Sequence, residues 1–120
     1  ASDRARRTAS IIRAEVNLAE GGSYIIEMGL LTRYTGNPEY YMKAKAASRA
    51  IFERASRYGL VGERINIETG EFTDKRAHIG CCIDSYFEYL YRGWLLFGFP
   101  ELMRMWGKSI IPIQNVLVDP

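Results

Sequence analysis

The sequence predicts an all-α protein of consecutive αα-hairpins, interrupted by a small β-hairpin at about residues 61–73. Apolar residues recur at helical spacing through most of the chain. The same punctuation, Gly-x-Pro-Glu, occurs twice, in Gly36-Asn37-Pro38-Glu39 and in Gly98-Phe99-Pro100-Glu101. Between these two points the pattern changes to the alternation that is typical of strands. These three observations define the predicted fold class.

The first predicted helix covers about residues 19–35. Ile26, Leu30 and Leu31 lie at helical spacing within it. The helix should end at Gly36, because glycine adopts a left-handed C-terminal cap without a Cβ clash.

The second predicted helix covers about residues 38–57. Asn37 is a suitable N-cap, and Pro38 suits the first helical position, where no amide hydrogen is needed. The helix is amphipathic, which predicts that one side is buried. The predicted buried side consists of Tyr41, Ala44, Ala47, Ser48, Ile51 and Phe52.

The strand pattern then predicts a β-hairpin that turns near Thr69-Gly70 and is followed by a polar loop, Asp74–His78. A third helix should run from about Asp84 to Phe97 and end at Gly98. A last helix should cover about residues 100–117, and Pro112 should kink it or end its regular part.

The two Gly-x-Pro-Glu stops lie between helices, so the chain reads as two consecutive αα-hairpins joined by a loop that carries the β-hairpin. Two such units cannot close a toroid, because stacked repeats bury their faces against neighbours and need at least about three units. The pattern therefore predicts an incomplete repeat fold.

Composition excludes several classes of protein. The 120 residues include 16 Lys+Arg and 14 Asp+Glu, and the net charge of +2 is too small for a nucleic-acid interface. No apolar run reaches the roughly 18 residues of a transmembrane segment. Eight of the 15 aromatic residues are tyrosines (with 5 Phe and 2 Trp), and many of the aromatic residues lie beside carboxylates.

The two cysteines, Cys81 and Cys82, are adjacent. A bridge between neighbours closes a strained ring and staples no distant segments together, so a disulfide scaffold is not expected. With His78 as the sole histidine and no separated cysteine pair, zinc ligation within the chain is not expected either.

Asp84 and Glu88 lie four residues apart, on one helix face, in the run Ile83-Asp84-Ser85-Tyr86-Phe87-Glu88-Tyr89-Leu90. Like charges at this spacing are mildly destabilising, so the pair among aromatics indicates a site that holds hydroxyls, a cation or a reacting proton. The alternative is structural: Asp84 caps the helix and Glu88 is solvated.

Glu20 and Glu27 lie seven residues apart on one stripe of the first predicted helix, with Ser23 and Tyr24 between them. The structural alternative is that Glu20 complements the helix dipole and Glu27 pairs with a neighbouring cation. In an αα-toroid the inner helices run parallel, so carboxylates near their N-terminal ends would gather at one mouth of the barrel.

At these residues the sequence resembles glycoside hydrolase family 47, the class I α-1,2-mannosidases, and within it the ER-degradation-enhancing mannosidase-like proteins and bacterial relatives. The run from Ile83 to Leu90 is the most specific match. Its collinear companions are Leu18-Ala19-Glu20-x-Gly22-Ser23-x-x-x-Glu27, Leu31-Thr32-Arg33-x-Thr35-Gly36-Asn37-Pro38, and Gly59-Leu60-Val61-Gly62 with Ile67-x-Thr69-Gly70-Glu71-Phe72.

The resemblance implies that residues 1–120 form about two helical-hairpin repeats of a catalytic (αα)7 barrel. It implies an inverting α-1,2-mannosidase, with a Ca²⁺ at the pocket floor, that trims terminal mannose from N-glycan-type oligosaccharides or glycoproteins. The family's general-acid glutamate is expected before Ala1. Its second glutamate and its calcium-binding threonine are expected after Pro120. The isolated chain should therefore be inactive and hold no metal itself.

Carried over by position, Asp84 matches one of the catalytic carboxylates, with its role as acid or base left open. Glu20 matches a pocket-lining glutamate, and Glu27 and Glu88 match acidic positions that hold substrate or support the pocket. Position 82 departs from the Arg of the ER processing enzymes and is Cys82 here. Without a guanidinium there, branch preference should differ.

Two competing hypotheses stay open. One is a non-catalytic module for mannose-glycan binding or glycoprotein quality control on the same fold. The other is a plain helical-repeat scaffold, in which Asp84 and Glu88 are exposed and do not converge with Glu20.

Overall fold

The computed structural model describes residues 14–118; the arginine-rich start of the chain and its last two residues lie outside this range. The described part is mostly helical and carries a small antiparallel sheet, as predicted. In chain order its elements are β1 (Glu15–Asn17), α1 (Leu18–Gly21), α2 (Ile25–Thr35), α3 (Glu39–Glu53), β2 (Arg64–Asn66), β3 (Phe72–Asp74), α4 (Asp84–Phe97) and α5 (Pro100–Val116).

The first predicted helix is wrong at its start, because the chain breaks it into α1 and α2. The amide of Gly22 donates to the Leu18 carbonyl oxygen at 2.8 Å and closes α1. A Cβ at Gly22 would lie 2.6 Å from Cδ2 of Tyr86, so the missing side chain lets the Tyr86 ring pack directly against the backbone of this turn. The predicted end at Gly36 is confirmed, since Gly36 has a φ of 74° and caps α2.

The start of α3 agrees with the predicted cap, because Asn37 Oδ1 accepts from the amide of Glu39 at 3.0 Å. Its end is wrong by about one turn, at Glu53 instead of 57. After Glu53 the amides of Arg54 and Ala55 each donate to the carbonyl oxygen three residues earlier. The chain then turns at Gly59, which has a φ of 78°.

The predicted β-hairpin is confirmed, with β2 and β3 paired antiparallel and Ile65 opposite Phe72. Asn66 Oδ1 accepts from two amides of the turn, and Gly70 closes the turn at a φ of 73°. A third strand, β1, pairs antiparallel with β2 and places Val16 opposite Ile65. Sequence reasoning missed β1, because three residues carry too little periodicity.

The bounds predicted for α4 are confirmed, and Gly98 caps it at a φ of 74°. The predicted bounds of α5 agree with the structure to within one residue, and of the two effects predicted for Pro112 the end of the regular helix is wrong, because α5 continues to Val116. Cγ of Pro112 lies 2.6 Å from the place where Gly59 would carry a Cβ. The missing side chain of Gly59 therefore leaves room for the Pro112 ring.

The core forms where α2 packs against both α3 and α4, and α4 packs against α1 and α5. Two glycines bring α2 and α4 close together: Gly29 lies against the Phe97 ring and Gly93 against Ile25. The fully buried large side chains are Leu18, Ile25, Ile83, Tyr86, Leu90, Leu102 and Met105. Within the described part of the chain, no helix combines the length and apolarity that crossing a bilayer requires.

Candidate functional site

Asp84 is the first residue of α4 and is half-buried. Its amide donates to the Gly80 carbonyl oxygen at 3.1 Å, and its Oδ1 accepts from the amide of Ser85 at 2.9 Å. The N-terminal end of a helix favours an anionic side chain. The backbone thus fixes one carboxylate oxygen of Asp84 and leaves the other free of hydrogen bonds from residues 14–118.

Asp84 and Glu88 line one open groove between α4 and α5, of about 360 Å³. Glu88 is exposed and pairs with Arg92, with 3.5 Å between Oε2 and Nη1. The groove is lined by Ile79, Asp84, Phe87, Glu88, Tyr91, Arg92, Trp106, Ile110 and Ile113. The ring centroids of Tyr91 and Trp106 lie 4.9 Å apart. The helical spacing therefore brings two carboxylates beside an aromatic wall.

A larger hollow of about 660 Å³ lies between the end of α3 and the β-hairpin. It is lined by residues that include Arg54, Tyr58, Glu71 and Lys75. None of the four predicted carboxylates borders it, and it brings together no pair of acidic side chains. Size alone therefore does not identify the site, and the smaller groove is the one that two of the predicted carboxylates line.

Glu27 lies in the first turn of α2 and contacts α4. The Tyr89 hydroxyl donates to Glu27 Oε1 at 2.6 Å. This hydrogen bond, with some help from burial, raises the pKa of Tyr89. Sequence reasoning missed Tyr89 as a partner, because the two residues are 62 positions apart. The sequence signal that pointed to Tyr89 was its presence in the same run as Asp84.

The prediction that Glu20 and Glu27 share one helical stripe is wrong, because the break at Gly22 places Glu20 in α1 and Glu27 in α2. Glu20 is exposed, and its amide donates to Asn17 Oδ1 at 2.8 Å. Because α1 and α2 are separate helices, the carboxylates of Glu20 and Glu27 are positioned independently.

A backbone hydrogen bond ties α1 to the turn before α4. The amide of Ala19 donates to the Cys82 carbonyl oxygen at 2.9 Å. Glu20 follows the donor directly, and Asp84 lies two residues beyond the acceptor. Glu20 and the N-terminal end of α4 are therefore at the same end of the molecule.

Tyr86, in the same run as Asp84, is part of the core. Its hydroxyl is buried and makes no hydrogen bond of normal geometry with residues 14–118. Ser109 lies beside it, but the Ser109 hydroxyl donates to the Met105 carbonyl oxygen at 2.9 Å. Burial raises the pKa of Tyr86. The motif thus combines a packing tyrosine with a carboxylate at the surface.

Residues 14–118 contain no group of three or more His, Cys, Asp or Glu side chains that could hold a metal ion. The four carboxylates are spread over α1, α2 and α4, and Glu27 accepts a hydrogen bond from a tyrosine whereas Glu88 pairs with an arginine. The residues present therefore do not fit a calcium site.

Comparison with known proteins gives a family match and several relatives. The model of "Glycosyl hydrolase family 47" matches residues 2–120. Alpha-mannosidase I MNS4 of Arabidopsis thaliana is 45% identical over 91 residues, which are 76% of this chain and 15% of that protein. Human ER degradation-enhancing alpha-mannosidase-like protein 2 is 39% identical over 94 residues, which are 78% of this chain and 16% of that protein.

A more distant relative is mannosyl-oligosaccharide alpha-1,2-mannosidase IA of Drosophila melanogaster. It is 29% identical over 103 residues, which are 84% of this chain and 15% of that protein. The chain thus spans less than a fifth of the length of these relatives.

Proposed function

The chain belongs to glycosyl hydrolase family 47, and on that premise we propose that the protein containing it is an inverting α-1,2-mannosidase. Its substrates are mannose-containing oligosaccharides or glycoproteins of the N-glycan type, from which it trims terminal mannose. The matched relatives support this activity, since two of them are named alpha-mannosidase I and mannosyl-oligosaccharide alpha-1,2-mannosidase.

The position of Asp84 carries the proposal. An inverting glycosidase needs an acid and a base about 6.5–9.5 Å apart, with room for a water on one side of the sugar. Asp84 is held at the start of α4 through Oδ1, and its other oxygen is open to a water or a sugar hydroxyl. We assign Asp84 to this carboxylate pair, as either its acid or its base.

The other three carboxylates hold the sugar or support those that do. Carboxylate oxygens accept strong hydrogen bonds from hydroxyl groups. Tyr89 orients Glu27, whereas Glu20 and Glu88 are exposed and able to reach a ligand. Beside Glu88, the rings of Tyr91 and Trp106 offer an apolar surface on which the C–H face of a sugar can pack.

The barrel is part of the same proposal: residues 1–120 are about two of seven αα-repeats of the catalytic domain. The paired stops at Gly36 and Gly98 and the packing of α2 along α4 support a repeat. Further support comes from large apolar side chains that are exposed and that neighbouring repeats would cover. They include Leu31, Leu95, Leu96 and Ile111.

Calcium enters the proposal only through the family resemblance. Because residues 14–118 offer no group of three His, Cys, Asp or Glu side chains that could hold a metal ion, a Ca²⁺ in the whole protein would need ligands from beyond these residues. It would supply positive charge to sugar hydroxyls when bound. None of the steps assigned to Asp84, Glu20, Glu27 or Glu88 depends on it.

The test is Asp84→Asn in the full-length protein. We expect mannose release to fall by about 10²–10⁴-fold, because the amide can neither donate nor accept the reacting proton. The thermal unfolding midpoint should change little, since the amide oxygen can still accept from Ser85. Glu39→Gln is the matched control, an exposed carboxylate on α3, and it should keep wild-type turnover.

Wild-type turnover in Asp84→Asn would contradict the assignment of the site. If the unmodified protein binds mannose oligosaccharides but releases no mannose, the result favours the non-catalytic glycan-binding module of the same fold. We expect the isolated 120-residue chain to be inactive, because it supplies only one of the carboxylates of the proposed pair.

A further inference from the structure

The two adjacent cysteines are held in direct contact. The Sγ atoms of Cys81 and Cys82 lie 3.2 Å apart, and neither is bridged. Cys82 has a φ of 75° and is the one non-glycine residue among 14–118 in the left-handed region. Side chains with a Cβ rarely adopt this conformation, so the surrounding structure holds it in place. A left-handed backbone at Cys82 thus occurs together with the contact of the two sulfurs.

We propose that Cys81 and Cys82 are a modification site: a dithiol that a small-molecule disulfide such as oxidised glutathione converts reversibly into a disulfide between neighbouring residues. The inference does not depend on the proposed hydrolase activity. It rests on the sulfur contact, the left-handed Cys82 and the accessibility of Cys81.

The reaction balances in two exchange steps. The Cys81 thiolate attacks one sulfur of oxidised glutathione, which forms a mixed disulfide and releases one glutathione thiolate. Cys82, after losing its proton, then attacks Sγ of Cys81, closes the ring and releases the second glutathione. The two protons lost by the cysteines pass to the two glutathione thiolates, so the protein is oxidised by two electrons and the glutathione is reduced.

The surroundings of the two cysteines decide which thiol attacks first and which closes the ring. Cys81 is exposed and can meet a bulky disulfide, whereas Cys82 is half-buried. The hydrogen bond with Cys81, followed by burial, raises the pKa of the Cys82 thiol, so it is a poorer first nucleophile. Cys81 therefore attacks first, and Cys82 resolves the mixed disulfide at its contact distance.

The ring should be easy to reduce. Neighbouring Cα atoms across a trans peptide are about 3.8 Å apart, below the usual range of about 4.4–6.8 Å for bridged cysteines. Strained and exposed bridges are the reversible ones. The pair therefore suits a labile modification and not a structural staple.

The site is linked to the start of α4. The Cys82 carbonyl oxygen accepts from the amide of Ala19, and Asp84 follows two residues later. Closing the ring brings the two Sγ atoms from 3.2 Å to the bond length of about 2.05 Å and so strains the backbone at Cys82, which carries this carbonyl group. Oxidation should therefore weaken the tie between α1 and α4.

The experiment treats the full-length protein with oxidised glutathione, alkylates free thiols, and analyses the tryptic peptide of residues 77–92, which contains both cysteines. We expect this peptide to be two hydrogens lighter, unlabelled, and fully labelled after reduction. Hydrogen exchange at the Ala19 amide should be faster in the oxidised protein.

The matched variants are Cys82→Ser and Cys81→Ser. Cys82→Ser should stop at a stable glutathione adduct on Cys81, and Cys81→Ser should form an adduct more slowly. The proposal is overturned if the wild-type peptide keeps two free thiols, carries two glutathiones, or is cross-linked to another chain. Unchanged exchange at Ala19 in the oxidised protein would overturn the link to α1.

Discussion

Tyr89 and Glu27 are joined by a hydrogen bond of 2.6 Å from the phenol to Oε1, which links the first helices of the two αα-hairpins. The bond is charge-assisted, because a carboxylate accepts it, and such bonds are stronger than neutral ones. It points the Glu27 carboxylate toward α4, the helix that begins with Asp84. The relative position of α2 and α4 therefore also sets the orientation of Glu27.

We expect Tyr89→Phe to lower the free energy of unfolding by about 0.5–1.5 kcal/mol, because it removes one partly exposed hydrogen bond and little packing. Urea-induced unfolding of the protein measures the change. Tyr34→Phe is the control, since Tyr34 is 84% exposed. Equal stability of the two variants would contradict a contribution from the Glu27 contact.

The pKa of Tyr89, raised mainly by its hydrogen bond to Glu27, predicts a pH dependence. A phenol whose pKa is higher in the folded than in the unfolded state gives stability that is fully present below about pH 10. That stability is lost as the pH rises through the folded-state pKa. Carbon NMR titration of the Tyr89 ring measures this folded-state pKa separately from those of Tyr41 and Tyr86, which burial also raises.

Glu27→Gln should move the Tyr89 titration to lower pH, because a neutral amide no longer opposes ionisation of Tyr89. Glu39→Gln, which changes an exposed carboxylate on α3, should leave the titration as it is. A Tyr89 titration that is unchanged in Glu27→Gln would show that burial, and not Glu27, raises the pKa of Tyr89.

Gly22→Ala should be destabilising by about 1–3 kcal/mol, because its Cβ would lie 2.6 Å from the Tyr86 ring and 2.9 Å from the Leu18 carbonyl oxygen. Gly107→Ala is the matched control in α5, where an added Cβ meets no atom within 4 Å. It should be stabilising by up to about 1 kcal/mol from helix propensity. Thermal and urea unfolding test both, and a neutral Gly22→Ala would refute the close approach.

Glu101→Gln should be destabilising by about 0.5–1 kcal/mol at low salt, whereas Glu39→Gln, at the equivalent position of the repeated motif, should be neutral. Glu101 pairs with Lys45 at 2.6 Å and with Arg49, and so links α5 to α3. The Lys45 hydrogen bond is the main cause that lowers the pKa of Glu101. Its contribution should therefore be lost as the pH falls below 4.5. An equal salt dependence of the free energy of unfolding in Glu101→Gln and Glu39→Gln would contradict a contribution from the Glu101 ion pairs.

The pKa of Asp74 is lowered to about 2, mainly by hydrogen bonds from Arg76. A lowered pKa means that the interaction is fully present above the unfolded-state value of 3.8 and is lost as the pH falls toward 2. Carboxyl carbon NMR titration of Asp74 measures this directly. In Arg76→Ala the Asp74 pKa should return toward 3.8, and an unchanged titration would assign the shift to another cause.

Local signals in the sequence were sufficient wherever the structure depends on a few neighbouring residues. The glycine caps at positions 36 and 98, the Asn37 cap, and the bounds of α4 follow from backbone geometry and short-range hydrogen bonds. The shared face of Asp84 and Glu88 follows from helical spacing alone. The resemblance to the family depends on the same short runs, and the comparisons confirm it.

Long-range contacts decided the rest. The break at Gly22 accommodates Tyr86, and Gly59 leaves room for the Pro112 ring of α5. The strand β1 exists through its pairing with β2, and Glu27 is oriented by Tyr89. Each pair is far apart in sequence, and its free energy is gained only when the helices pack, so no local pattern encodes it. The sequence by itself determined the family, the helix stops and the candidate carboxylates; the tertiary structure decided which of them face one another.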